Sequence, residues 1–344
     1  VQAIVLVGGE GTRLRPLTET VPKPALTLVD RPFLAYMVEW LASHGVTEVV
    51  LACGFLPDVL AEALAGEEER AGVAIRYVVE PERRGTAGAI RFAADQLGAD
   101  LDERFLALNG DVLTDLDLTA LLDAHANHRS GAPYVPMGGI KRTGTVAKAT
   151  IGLHPVEDSS AYGLVRVGDD GEVLAFTEKT GERAPGEINA GMYVLERSVL
   201  DLIPPGAEVS IERDVFPRLV GAGLRAALLD GYWMDIGTPE RYLQASWDIL
   251  ERRVATRVEP TAPGAFVDPG AEVSAGASVG PRAVVGDRCR VGEGAEVSES
   301  VLFEGCVLGR GARVRGSILA ADVEVPANAT VEGIVIGQGE SVVA

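Results

Sequence analysis

The sequence predicts an α/β domain with a mixed, mostly parallel sheet over residues 1–256, then a β-helix of hexapeptide repeats over residues 257–344. Two observations carry the first part. Apolar runs of strand length alternate with helical patterns up to about Val254, and the first run leads straight into a glycine-rich loop. A third carries the rest: after Pro260 a valine returns every six residues.

Each element has its own reason. Ala3-Ile4-Val5-Leu6-Val7 is unbroken apolar chain, as a strand buried on both faces requires. Between Arg31 and Ser43, the residues Leu34, Met37, Val38 and Leu41 fall on one helical face. Val46 to Cys53 reads as a second strand, and Val73, Ile75, Tyr77 and Val79 alternate through a third. Gly85 to Leu97 is helical, and Phe105 to Leu108 runs as a fourth strand into Asn109-Gly110-Asp111. In sheets of this kind ligands sit beyond the carboxyl ends of the strands.

Val267, Val273, Val279, Val285, Val291 and Val297 keep the six-residue register, each followed four residues later by a small residue up to Ala295. The phase is expected to slip once, near Val307, and to resume at Leu319, Val325 and Val331. One inward side chain per short strand and three strands per coil is the logic of a solenoid, and this register resembles the left-handed parallel β-helix. The joint is expected in the helix from Pro239 to Val254 and the segment Glu259 to Gly264.

A net charge of −19 argues against nucleic acid and anionic membrane as partners, while leaving room for a small phosphorylated ligand. The cysteines Cys53, Cys289 and Cys306 are too dispersed for a disulfide framework or a zinc site and read as buried thiols. No leader or membrane span is expected, so the expected location is cytoplasmic.

The strongest local motif is Gly8-Gly9-Glu10-Gly11-Thr12-Arg13-Leu14-Arg15-Pro16-Leu17-Thr18. Glycines allow close approach to a phosphate, consecutive N–H groups form an anion nest, and Arg13 adds a planar fork. Leu14 stands where a dinucleotide fingerprint needs glycine, and Thr12-Arg13 where a Walker loop needs Lys-Ser/Thr.

Further runs follow in order: Pro22-Lys23-Pro24, Glu80-Pro81, Gly85-Thr86-Ala87-Gly88-Ala89, Asn109-Gly110-Asp111, Tyr162-Gly163, Glu178-Lys179, Asn189-Ala190-Gly191-Met192-Tyr193 and Tyr232-Trp233-Met234-Asp235-Ile236-Gly237. Together they resemble the sugar-1-phosphate nucleotidyltransferase family, whose catalytic domain is Rossmann-like (GT-A-like). The last two runs are most similar to its GDP-mannose pyrophosphorylase branch, which also carries a C-terminal β-helix.

The resemblance implies Mg²⁺-assisted, in-line attack of a sugar-1-phosphate on the α-phosphorus of an NTP. Positioning and electrostatics dominate such a reaction. It assigns Gly9, Gly11, Thr12 and Arg13 to the β- and γ-phosphates and Lys23 to charge near the α-phosphate. Asp111 and Asp235 become the metal carboxylates, with an arginine pair as the other reading of Asp235. Glu178, Lys179, Asn189 and Gly191 become the sugar-phosphate pocket, with Asn109 and Gly110 beside it and Tyr162-Gly163 as a wall. The backbone of Leu6 to Gly8, with Gly85 and Thr86, completes the nucleotide site.

Glu80 speaks to the base. Guanine offers N1–H and N2–H side by side, and an ionised carboxylate is acceptor-only. Guanine is therefore the expected base, and the branch resemblance implies mannose-1-phosphate as its partner substrate. Thymidylyl- or uridylyltransferases of glucose-1-phosphate and guanylyltransferases of heptose-1-phosphate are alternatives within the class. A non-catalytic nucleotide-sugar-binding relative is an alternative outside it, opposed by the intact Gly9, Gly11, Arg13, Lys23, Asp111, Lys179 and Asp235. An acyltransferase site in the β-helix is disfavoured, since His44, His125, His128 and His154 all precede it. The helix is expected instead to build a homo-oligomer. Pro133 to Lys148, with Lys141 and Arg142, is expected to be an inserted loop beside the cleft.

Overall fold

The structure, a computed structural model, describes residues 1–129, 146–177 and 183–342. Most of the expected insertion, and Glu178 and Lys179, lie outside them. The chain divides into two compact units. One holds Val1–Gly8, Val38–Pro57 and Ala65–Trp233, and the other Gly9–Met37, Asp58–Leu64 and the chain from Met234 onward.

The first unit is built on nine strands among the described residues: β1 (Gln2–Val7), β2 (Glu48–Cys53), β3 (Ala74–Val79), β4 (Arg104–Asn109), β5 (Ala149–Val156), β6 (Leu164–Val167), β7 (Val173–Thr177), β8 (Gly186–Glu196) and β9 (Leu224–Leu228). Their order is β7-β6-β8-β4-β1-β2-β3, and β5 pairs with β8 and β9. The sheet is mixed, as expected. Its larger parallel part is β3-β2-β1-β4, where long crossovers join the strands, and β9 lies parallel to β5. β8 then runs antiparallel to β4, β5 and β6. The β5–β8 register shifts between Asn189 and Tyr193, so β8 bends there.

The core of this unit joins Ile4, Val50, Val78 and Phe105 of the sheet to Ala87, Ile90 and Ala94 of the helix Gly85–Leu97 and to Tyr193 and Phe216. The helical face Leu34, Met37, Val38 and Leu41 is buried as its periodicity requires.

In the second unit three parallel sheets stack as a triangular solenoid, consistent with a left-handed β-helix. Val267, Val285, Leu302, Leu319 and Ile336 align in one sheet. Val273, Val291, Leu308 and Val325 align in the second, and Val279, Val297, Val314 and Val331 in the third. This corrects the expected single slip near Val307. The inward residues are Leu302 and Leu308, and the register shortens in every coil after the first, at Val297 to Leu302, Val314 to Leu319 and Val331 to Ile336. The physical reason is the corner. Glu299, Gly316 and Gly333 turn in the left-handed region, and buried Ser300 and Ser317 stitch successive coils there, Ser317 N–H donating to Ser300 Oγ (3.1 Å).

The same unit packs its earlier segments on this solenoid. The Tyr242 ring, on the helix Pro239–Leu250, lies 6.1 Å from that of Phe303. Arg282 stands over Trp247 and donates to Glu251 (2.6 Å). Thr20 donates to Gln338 Oε1 (3.1 Å). Among the described residues no helix is long and apolar enough to cross a membrane.

Candidate active site

Three parallel strands end side by side at β1, β2 and β3. Glu80, the residue after β3, donates its N–H to the Cys53 carbonyl (2.8 Å). Its buried carboxylate stands over Gly8: a Cβ there would lie 3.6 Å from Glu80 Oε1. A Cβ on Gly54 would lie 3.0 Å from the Gly8 carbonyl, so both glycines keep this floor flat. Burial raises the Glu80 carboxyl above its ordinary value, and Arg84 partly offsets that. Burial, with a smaller contribution from Glu80, pushes the Cys53 thiol up to about 12, which leaves it inert.

Gly85 has a use beyond the expected one, and Gly88 shares it. The helix they open has no side-chain cap. Instead Ala87 and Gly88 donate their N–H groups to the Val209 carbonyl (2.9 and 3.2 Å). A Cβ on Gly85 would stand 2.6 Å from Val209 O, and one on Gly88 2.6 Å from Ala207 O. The hydroxyl of Thr86 accepts from Ile211 N–H (2.8 Å) and donates to Glu212 (3.1 Å).

Asn109-Gly110-Asp111 closes the end of β4. Gly110 donates to the carbonyl of Leu6 (2.9 Å), and a Cβ on it would strike Val7 Cγ1 at 2.5 Å. The same turn meets β8 at its bend. Gly191, with φ +74°, lies under Asn109, whose Nδ2 would be 2.7 Å from an added Cβ. Asn189 accepts from Gly191 N–H through Oδ1 (2.9 Å) and donates through Nδ2 to the hydroxyl of Tyr193 (2.9 Å). Burial, then Glu212, and further off Asp111 push the Tyr193 hydroxyl well above its ordinary value.

An aromatic wall borders this pocket. Tyr162 meets Trp233 edge-on at 5.5 Å, and His154 stacks on the other side at 6.0 Å. The Trp233 indole donates to the Ala190 carbonyl (2.9 Å), tying the wall to the Asn189–Gly191 turn. Gly163 follows Tyr162 and leads directly into β6. Trp233 lay inside a quoted motif without a role, and His154 had none.

In the second unit, Gly9, Thr12 and Arg13 are exposed. Gly11 has φ +62°, and a Cβ on it would lie 3.1 Å from both Lys23 Cβ and Thr18 Cγ2. The Thr18 hydroxyl donates to the Gly11 carbonyl (2.9 Å) and pins the turn. Lys23 is only 8% exposed, so the loop packs on its stem rather than leaving it solvated. Arg13 lies against Gly237, where a Cβ would be 2.8 Å from Nη2. Asp235 forms an ion pair with Arg241.

Asp111 and Asp235 offer hard oxygen donors of the type Mg²⁺ takes. Among the described residues no group of three or more His, Cys, Asp or Glu gathers. Each carboxylate, by its chemistry, fits one ligand position of such an ion.

A nucleotidyl transferase family profile matches residues 2–252, and one for the GMPPB C-terminal domain matches residues 261–344. The chain is 40% identical over 253 residues to the mannose-1-phosphate guanylyltransferase of Mycobacterium tuberculosis, covering 73% of this chain and 65% of that protein. It is 39% identical over 271 residues to probable mannose-1-phosphate guanylyltransferase 3 of Oryza sativa subsp. japonica, covering 77% and 69%. The chain thus spans about two thirds of the length of these relatives. Among solved structures, HddC from Yersinia pseudotuberculosis complexed with GMP-PN superposes with a TM-score of 0.58 at 27% identity, over 72% of this chain and 99% of that one. Because the first match runs unbroken from β1 through the glycine-rich loop to the helix after Asp235, the chain belongs to the nucleotidyl transferase family of enzymes.

Proposed function

We propose that this enzyme transfers the guanylyl group of GTP to mannose-1-phosphate, releasing pyrophosphate and forming GDP-mannose. The observation that carries the base assignment is Glu80. Its carboxylate sits buried at the carboxyl ends of three parallel strands, over a floor of two glycines. Being acceptor-only, it pairs with both N1–H and N2–H of guanine and with neither edge of a pyrimidine so well. The names of the relatives support both substrates.

The remaining roles belong to the same reading. The amides of Gly9, Gly11 and Thr12 and the Arg13 guanidinium bind the β- and γ-phosphates. Lys23 neutralises charge at the α-phosphate, its stem held by Gly11. Leu6, Gly8, Gly85 and Thr86 complete the nucleotide site. Asn109, Gly110, Tyr162, Gly163, Asn189 and Gly191 shape the sugar-phosphate pocket, with Glu178 reaching sugar hydroxyls and Lys179 countering the attacking phosphate. Asp111 and Asp235 would hold Mg²⁺, which supplies charge neutralisation on the phosphates. The protein's own contribution is to hold two anions in line.

The linear arrangement is a catalytic domain over residues 1–256 and a β-helix over 257–344. A homo-oligomer assembled through the β-helix belongs to the same reading. The net charge of −19 opposes nucleic acid and anionic membrane as partners, and a cytoplasmic location belongs to the same reading.

The test is pyrophosphate release with Mg²⁺, crossing GTP, UTP, dTTP and ATP with mannose-, glucose-, galactose- and N-acetylglucosamine-1-phosphate. Preference for GTP with mannose-1-phosphate is expected. Preference for UTP or dTTP would overturn the Glu80 assignment and keep the class.

A further inference from the structure

Glu212 has no role in the reading above, yet it stands where two of its parts meet. Its Oε1 accepts from the hydroxyl of Tyr193 (3.1 Å). Its Oε2 accepts from Thr86 Oγ1 (3.1 Å) and from Ser210 Oγ (2.9 Å). Each neighbour is committed in turn. Tyr193 is fully buried and its oxygen accepts from Asn189 Nδ2 (2.9 Å), while Asn189 Oδ1 accepts from Gly191 N–H (2.9 Å). Thr86 Oγ1 accepts from Ile211 N–H (2.8 Å).

The directions leave little freedom. Gly191 gives to Asn189, Asn189 to Tyr193 and Tyr193 to Glu212, and Thr86 gives to the same carboxylate from the other side. Both branches end on one acceptor-only group, so an ionised glutamate fits where a glutamine does not. An amide NH₂ would face either Tyr193, which already takes a hydrogen from Asn189, or the two hydroxyls of Thr86 and Ser210. Either way one donor loses its acceptor in a partly buried network, where an unmet bond has a cost.

We propose that Glu212 is a positioning residue that couples the nucleotide site, through Thr86, to the sugar-phosphate pocket, through Tyr193, Asn189 and Gly191. The proposal rests on the assignment of Thr86 and Asn189 to those two sites. Binding of one substrate then orders the other's pocket through a single carboxylate, without contact between Glu212 and either substrate.

The experiment is a set of kinetic cycles in the full-length protein with GTP and mannose-1-phosphate. Glu212→Gln is expected to raise the KM of both substrates by about tenfold, the scale of a lost charge-assisted hydrogen bond. Thr86→Val is expected to raise the KM of mannose-1-phosphate as well as that of GTP. Tyr193→Phe is expected to raise the KM of GTP as well as that of mannose-1-phosphate. In the Glu212→Gln background both cross-effects should vanish. Strictly local effects, with Thr86→Val moving only GTP and Tyr193→Phe only mannose-1-phosphate, would overturn the coupling. So would a Glu212→Gln protein with a lower melting temperature and unchanged KM values, which is the signature of a merely structural residue. Should Glu212→Gln fail to fold, the two single variants still decide. A wild type active on other substrates would sink the substrate assignment alone, and the cycle would be run on that pair. A wild type whose Thr86 and Tyr193 variants move neither KM would remove both site assignments and the proposal with them.

Discussion

Gly85 lies against the carbonyl of Val209, so closely that a Cβ on it would stand 2.6 Å from that oxygen. The same carbonyl takes the N–H groups of Ala87 and Gly88 and so caps the helix that follows. A glycine expected for its approach to a nucleotide is therefore demanded first by the protein's own backbone.

Gly85→Ala adds a methyl into this contact and strains a residue at φ +67°. A loss of about 3 kcal/mol is expected, lowering the thermal midpoint by roughly 5–10 °C. Thermal unfolding followed by circular dichroism checks it. An unchanged midpoint would mean that the Ala207–Val209 segment yields easily.

Glu80→Gln exchanges an acceptor-only group for one carrying a donor. The ratio of kcat/KM for GTP over UTP is expected to fall by roughly ten- to a hundredfold, as two charge-assisted bonds to guanine become one neutral one. Steady-state kinetics with both nucleotides measures this. An undiminished ratio would place the base elsewhere.

The same residue sets a pH dependence. Burial raises the Glu80 carboxyl, with Arg84 opposing, so it takes up a proton at higher pH than an exposed glutamate does. The ionised form binds guanine. The KM for GTP is thus expected to climb as pH falls through that raised value, and the limb should vanish in Glu80→Gln. Measuring KM from about pH 5 to 8 tests the sign. An acid limb that survives the substitution belongs to another group.

Asp111→Asn and Asp235→Asn should each reduce kcat/KM, on the order of a hundredfold for Asp111. Because Asp235 is already in an ion pair with Arg241, Asp235→Asn is expected to act mainly by raising the Mg²⁺ concentration needed for half-maximal rate. Mg²⁺ titrations of both variants separate the cases. Unchanged metal dependence in both would assign the ion to other ligands.

Leu302→Ala removes a buried inward side chain of the β-helix, 1% exposed. The cavity should cost about 3 kcal/mol. Phe303, the next residue, packs against Tyr242, so loss of activity on mild heating is expected to accompany the lower stability. Activity that outlives the unfolding of the β-helix would show that the packing is dispensable.

Much of this molecule is legible in one dimension because it depends on period. The β1 run, the helix from Gly85 to Leu97, the strand ending at Cys53 and the inward valines of the first coils all follow from which residues must face a core. The motifs likewise marked Gly8, Gly11, Glu80, Gly110, Asn189 and Gly191, because glycine and acceptor placement leave a local trace. What the sequence could not decide is where side chains end. The recurrent short corner of the solenoid depends on single left-handed residues and on Ser300 stacking under Ser317, which six-fold spacing does not record. The wall of Trp233 and His154 depends on backbone positions that only folding brings near. Glu212 is the clearest case. Its bond to Thr86 spans 126 residues of chain, and a carboxylate becomes a junction only when tertiary structure aims donors at both of its oxygens.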